Sequence, residues 1–376
     1  MVNGLIVVIL YIIISLVSLC IVRYQYLRFC RHNNQESNIK TENKISYLAI
    51  IFISFLFTIL NVVSTRLSSV YGSDRSNYAY EFTGARSVNS IGLEFIFKVV
   101  KSFHGNIETV FYLTTFICMF LTLVAYKKSL KADYKVFMLL LTSESVIYTF
   151  TALKQCYACA FACLFFIFAI EDRTKKGAIL SFICAGLAFI FHTSGAILFP
   201  IMIILRIKKL SAKKRMLLIA LSITSIVFLQ PILIVFNKVI GPIFPILSYK
   251  IELYMVQGND NEGVSAIAFI KYLPVYYIAL LGIVKRKYYS ILIENYNRYL
   301  IVAIIGAGLV AYSVVSYWFS RFTGIFYLPI FIFYNLINSK SKIKSNGLIN
   351  NIIVYGAGSV VLIRKILLIF INYGAF

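Results

Sequence analysis

The stretch "VNGLIVVILYIIISLVSLCIV" at residues 2–22 runs for its whole length without a charged side chain. Wound as an α-helix at about 1.5 Å per residue, it reaches about 30 Å, the depth of a bilayer's hydrocarbon core. Apolar residues occupy every face, so it has no polar stripe of the kind a helix on a soluble surface shows to water. It has neither a basic start nor a small-residue cleavage site, and so reads as a retained spanning helix rather than a removable leader.

The same signature recurs along the chain. The predicted spans are 2–22, 46–65, 107–126, 136–150, 156–170, 177–191, 195–206, 216–235, 267–284, 299–317, 322–337 and 348–363. Of the 376 residues, 60% are hydrophobic and 14% charged, with a mean hydropathy of +0.84; a soluble domain carries about 25% charged residues. A membrane β-barrel would show segments of about 10 residues alternating apolar and polar, and these runs do not alternate. The expectation is an all-α polytopic membrane protein of about twelve transmembrane helices, within a range of about ten to fourteen, forming one integral domain over 1–376.

Charge supplies the orientation. With the amino terminus outside, the inner segments 23–44, 127–135, 171–176, 206–215, 285–298 and 338–346 hold 25 Lys and Arg, and the outer segments 67–106, 151–155, 192–194, 236–266 and 318–321 hold 8. Basic residues collect on the cytoplasmic side of membrane proteins. Most of the net charge of +23 is therefore orientation signal and contact with anionic lipid, and nucleic acid is not an expected partner. The 27 tyrosines, many at predicted helix ends, fit an interfacial aromatic belt.

Two outer loops are long. In 67–106, Leu93, Phe97 and Val100 recur at helical spacing after Gly92, predicting a short amphipathic helix at the membrane interface. In 236–266, Pro242, Pro245 and "QGNDNEG" mark an irregular cover.

The remaining ionisable groups gather on the outer side. Asp74, Glu81, Arg86 and Glu94 lie in the first outer loop; Lys154 and Gln155 of "TALKQ" open the fifth span; His192 closes the sixth; Arg321 of "SYWFSRFTGIFYLP" stands between the tenth and eleventh. Such groups beside apolar helices are costly unless paired, solvated or used, so their convergence at one depth predicts a cavity. Each also has an ordinary reading. His192, followed by Thr193, Ser194 and Gly195, suits the cap of a tight turn. Arg321 suits interfacial snorkelling, Asp74 an Asx-type turn in "GSDRSN", and Glu94 the solvated edge of the interfacial helix. Cys156, Cys159 and Cys163 fall at helical spacing with no histidine or acid in their run, which favours packing over metal binding. No metal site and no cofactor are expected.

The chemistry open to this set is limited. A guanidinium grips phosphate oxygens as a fork and an ammonium does so as a mobile point charge, while an Asp, Glu or His in reach can take a proton from an attacking hydroxyl. That combination suits a lipid phosphate or diphosphate as leaving group. No P-loop is present, and "YGAGSV" at 355–360 lies in the last apolar run with no strand before it, where it reads as helix packing.

The chain resembles the EpsG-like, Wzy-type polysaccharide (O-antigen) polymerases of bacterial envelopes. The resemblance rests on "YGSDRSNY" with Asp74 and Tyr78, "GLEFIFKVV" with Glu94, "ALKQCYACAFACLFFIFAI" with Lys154 and Gln155, "FIFHTSGAILFPI" with His192 and Ser194, and "YWFSRFTGIFYLP" with Arg321, in that order over residues 71–330. Where that family usually has arginine in the third motif, this chain has Lys154, which keeps the charge and loses the bidentate fork.

The resemblance implies a GT-C-like bundle in the bacterial inner membrane, acting at its outer face on oligosaccharide repeat units carried by undecaprenyl diphosphate. In that role Arg321 and Lys154 would hold the donor diphosphate. Asp74, Glu94 and His192 would orient or deprotonate the acceptor hydroxyl, and Tyr78, Gln155 and Ser194 would contact substrate. A flippase and a chain-length regulator of the same pathway are the protein partners it implies. Three rival readings are a lipid-linked oligosaccharide flippase or other transporter, an envelope acyltransferase or polysaccharide ligase using the same donor, and a non-catalytic membrane scaffold that docks through its two long outer loops. A transporter is expected to show internal repeats or broken helices at the membrane midplane; here the polar groups cluster at one face.

Overall fold

The computed structural model describes residues 2–33, 45–67, 73–129, 131–206, 266–315, 320–339 and 351–356, with isolated positions at 235, 238, 239 and 242. Every regular element among the described residues is helical. In chain order these are α1 (Val2–Asn33), α2 (Tyr47–Leu67), α3 (Ser73–Thr83), α4 (Ile91–Ser102), α5 (Ile107–Lys128), α6 (Tyr134–Leu141), α7 (Glu144–Thr151), α8 (Leu153–Ile170) and α9 (Lys175–Phe191). A 3-10 turn (Thr193–Ile197) leads into α10 (Leu198–Arg206), followed by α11 (Ala266–Val284), α12 (Arg286–Leu292), α13 (Tyr296–Val315), α14 (Ser320–Ser339) and a π-helical turn at Ile352–Gly356.

Five of these, α1, α2, α5, α8 and α14, contain stretches long and apolar enough to cross a bilayer. Their burial ranks them. In α8 and α14, 83% and 78% of the apolar stretch is buried inside the bundle, against 22% for α1. The first two form the axis, and α1 turns Leu5, Ile9, Ile12, Ile13 and Leu16 outward. Around the axis, α8 packs on α5, α7, α9, α10 and α14, while α2 joins α1 to α5.

The two axial helices run parallel. Gly324 of α14 lies against Cys159 of α8, Phe326 meets Phe166, and Phe333 stacks on Tyr299, whose hydroxyl donates to Glu171 at the end of α8. At that end the last carbonyls of α8 are satisfied from α13, where Arg298 donates to Ala169 O at 3.2 Å and Ile170 O at 3.0 Å. Helix-end carbonyls without such donors would be left without intrahelical partners. We refer to this as the Glu171 end and to the opposite end of α8 as the Lys154 end.

The structure revises several sequence expectations. The predicted span 136–150 is two helices, α6 and α7, parted at Thr142 and Ser143. Both hydroxyls bond back into the preceding turn, Thr142 to Leu139 O at 2.8 Å and Ser143 to Leu140 O at 2.6 Å. Hydroxyls that compete in this way disturb a helix. Tyr11 of α1 closes the gap by donating to Leu141 O at 2.8 Å. Segment 67–106 holds two helices, α3 and α4, in place of one, and segment 285–298 contains the additional α12. The predicted span 195–206 begins as the 3-10 turn, and α1 continues beyond residue 22 to Asn33. All but residue 235 of the predicted span 216–235, most of 348–363 and most of the 236–266 loop fall outside the described residues.

Candidate functional site

The sequence "SDRSNYAYEFT" has little apolar character, yet it folds as α3 because Arg75 fastens it to three other helices. Its Nε donates to Phe150 O at 2.9 Å, Nη1 to Thr65 Oγ1 at 2.8 Å, and Nη2 to Asn61 Oδ1, and the guanidinium lies 4.1 Å from the ring centre of Phe111. Asn61 is in turn held by its amide donating to Thr115 Oγ1 at 2.6 Å. With α3 fixed, helical spacing puts Asp74, Tyr78 and Glu81 on one side of it, four and three residues apart.

That side meets the start of α8. Lys154 Nζ donates to Glu81 Oε1 at 2.8 Å and lies 5.4 Å from the ring centre of Tyr78. The side chains of Lys154 and Glu81 are only 16% and 6% exposed, so the carboxylate of this ion pair is buried and the ammonium largely so. The second carboxylate oxygen, Glu81 Oε2, is buried with no hydrogen-bond partner among the described residues.

One residue along α8, Gln155 is buried and turned toward the end of α9. Its Oε1 lies 3.5 Å from Ser194 Oγ, and its Nε2 donates to Cys159 Sγ at 3.7 Å. His192 ends α9 with extended backbone and opens the 3-10 turn, where its Nδ1 accepts the Ser194 backbone N–H at 3.1 Å with Ser194 Oγ 2.8 Å away. A neutral His192 accordingly carries its proton on Nε2. Capping and a place in the polar cluster are thus both true of this histidine. The turn is tight because Gly195 sits on the backbone of α9: a Cβ there would come within 2.5 Å of Ala188 C and Phe189 N.

The adjoining wall is α4. Ser90 caps it and also donates to Phe191 O at 2.8 Å. Gly92 lies flat against the Phe191 ring, which stacks on Tyr157 with ring centres 4.1 Å apart. A stacked pair of this kind contributes about 0.5–1.5 kcal/mol beyond its buried area.

The structure therefore brings together Lys154, Tyr78, Gln155, Ser194 and His192 from the expected set. Asp74 is half-buried in the first turn of α3, on the side of that helix that carries Glu81. Glu94 stands apart: it is paired at 2.7 Å with Lys98 on the outer edge of α4, with side-chain exposures of 45% and 74%. Arg321 is the second residue of α14. It lies one helical turn before Gly324, which touches Cys159, and Gln155 lies one turn before Cys159 in the parallel α8. The backbone thus carries Arg321 to the level of Gln155.

Two residues here had no expected role. Glu81 appears in the sequence as one loop charge among several, and Arg75 as a passing letter of "YGSDRSNY". The available signal was spacing, since Glu81 falls seven residues after Asp74 and three after Tyr78, all on one face if 73–83 is helical. Among the described residues no group of three or more His, Cys, Asp or Glu is arranged to hold a metal ion.

The fold and this cluster define an all-α membrane protein with a polar site buried at one end of its axial helices. The chain matches the EpsG family over residues 49–373 and belongs to it. No curated protein and no solved structure matches it.

Proposed function

We propose that the protein polymerises oligosaccharide repeat units carried on undecaprenyl diphosphate, by glycosyl transfer at the outer face of a bacterial inner membrane. The observation that carries this reading is the largely buried ammonium of Lys154 at one end of an apolar bundle, gathered with Tyr78, Gln155, Ser194 and His192. Membership in the EpsG family supports it. The reading carries with it a GT-C-like bundle of about twelve spans, with the Lys154 end facing outward as the distribution of Lys and Arg favours.

In this mechanism Lys154 and Arg321 hold the donor diphosphate and stabilise the charge that develops as the glycosyl bond breaks. Gln155, Ser194 and Tyr78 line the sugar. A carboxylate or imidazole receives the acceptor hydroxyl, and the motifs nominate Asp74, Glu94 and His192; of these, Glu94 is the most remote, on the edge that Lys98 holds. The reaction draws its energy from the activated lipid donor and uses no nucleotide. The flippase that delivers repeat units and a regulator of chain length are the partners this activity implies, within the bilayer itself.

The test is reconstitution into liposomes with a chemically defined lipid-diphosphate repeat unit. A ladder of repeat lengths with release of lipid diphosphate is the expected result. Native repeat unit left unextended, while a matched non-lipid acceptor is glycosylated, would replace polymerase by ligase. Movement of the intact lipid-linked unit across the bilayer without new bonds would replace it by transporter.

A further inference from the structure

The carboxylate of Glu81 carries the inference. Its Oε1 accepts from Lys154 at 2.8 Å, and Oε2 is buried with nothing to bond it among the described residues. Leaving a buried acceptor unmade costs about 1–3 kcal/mol, and more when it is charged. A native site tolerates such an atom where a catalytic role, a water or an ion accounts for it.

Three described cations on α3, on α4 and in the loop between them have partners of their own. Arg75 donates to Phe150, Thr65 and Asn61; Arg86 donates to Asn77 Oδ1 at 3.0 Å; Lys101 lies 4.8 Å from the ring centre of Phe82. Lys154 itself is engaged with Oε1 and the Tyr78 ring. A hydroxyl group can donate to Oε2 without displacing Lys154 from Oε1.

Resting on the polymerase reading, we propose that Glu81 is a catalytic residue whose Oε2 accepts the proton of the attacking sugar hydroxyl. The hydroxyl oxygen forms a bond to the anomeric carbon of the donor. The bond from that carbon to the diphosphate oxygen breaks, and its electron pair leaves with the lipid diphosphate. The hydroxyl proton passes to Oε2. Glu81 loses its charge as the leaving group gains one, so the attraction that holds Lys154 Nζ on Oε1 falls away at the moment a new anion forms beside it. Lys154, already beside the donor diphosphate, is then held less by Oε1, and its charge acts more fully on the leaving group. Afterwards Glu81 passes its proton to the departing lipid diphosphate or to water, and the pair closes again.

The experiment uses the full-length protein in liposomes with the lipid-diphosphate repeat unit, comparing wild type, Glu81→Gln and Glu81→Asp for kcat, KM and equilibrium binding of the donor. Glu81→Gln keeps the shape and an oxygen for Lys154 but takes up no proton. It is expected to lower kcat at least about a hundredfold, with KM and donor binding within about threefold of wild type. Glu81→Asp withdraws the carboxylate by one methylene and is expected to lower kcat about tenfold to a hundredfold. Glu81→Gln retaining more than about a tenth of wild-type kcat overturns the proposal against the loss that general-base catalysis predicts. So does a folded Glu81→Gln that loses donor binding in step with kcat, which would make Glu81 a support for Lys154. If Glu81→Gln fails to insert stably, an unchanged kcat in Glu81→Asp overturns it. A wild type that extends no repeat unit overturns the polymerase reading and this step with it, a result distinct from an active wild type with an active Glu81→Gln.

Discussion

At the level of single residues, the buried pair and the capping histidine each combine support of the fold with a place in the site, and substitutions can separate the two. Lys154→Met leaves both oxygens of Glu81 buried without a partner, and is expected to cost about 3 kcal/mol, toward the low end for one partner of a buried pair because Lys154 keeps some exposure. Lys154→Met combined with Glu81→Leu removes the two charges together and should recover most of that loss while yielding no polymer. Thermal midpoints in detergent and polymer yield measure the two effects. His192→Ala removes the acceptor for the Ser194 N–H and is expected to cost about 1 kcal/mol. His192→Asn offers an amide oxygen to the same N–H and should restore that stability without restoring polymer, as measured by the same two readouts; polymer at wild-type yield would reduce the histidine to a cap. Residue type, order and the family resemblance nominated Lys154, Gln155, Ser194 and His192, which the fold places in one cluster. They did not select Glu81, because its importance lies in a partner 73 positions away that only the docking of α3 brings near.

At the level of elements, helices defined by continuous apolar runs were readable and helices defined by docking were not. The predicted spans 46–65, 107–126 and 322–337 recur as α2, α5 and α14 with ends moved by a few residues. In contrast, α3 has no apolar period to betray it and owes its place to the bonds of Arg75. The break between α6 and α7 was hidden because no glycine or proline marks it; serine and threonine hydroxyls do so by bonding to carbonyls three residues back. Close approach of elements makes a graded prediction. Gly195→Ala pushes a methyl into the backbone of α9, which has no side chain to move aside, and is expected to destabilise by about 1–3 kcal/mol. Gly92→Ala meets the Phe191 ring, itself pinned by Tyr157, and should also destabilise. Gly186→Ala, with open space around its added Cβ in α9, should stabilise by about 0.5–1 kcal/mol. Thermal denaturation of the three purified variants gives the order.

At the level of the whole molecule, the charge asymmetry of the sequence makes a prediction about orientation. Ser87→Cys, exposed between α3 and α4, is expected to react with an impermeant maleimide added to intact cells, whereas Lys287→Cys, exposed on α12, should react only after permeabilisation. The opposite pattern would invert the bundle and put the Lys154 end in the cytoplasm. Hydropathy made the membrane class legible, because lipid forces backbone bonds to close within each span. It could not rank the helices, since α1 is the most apolar stretch and also the least buried, while the axis is formed by α8 and α14. That parallel axis has an effect no side chain supplies. Aligned peptide dipoles leave roughly half a positive charge at each helix N-terminus, and α8 and α14 both begin at the Lys154 end. At those two N-termini the backbone favours an anion independently of Lys154 and Arg321, an effect that the C-termini of α7 at Thr151 and α9 at Phe191 offset in part.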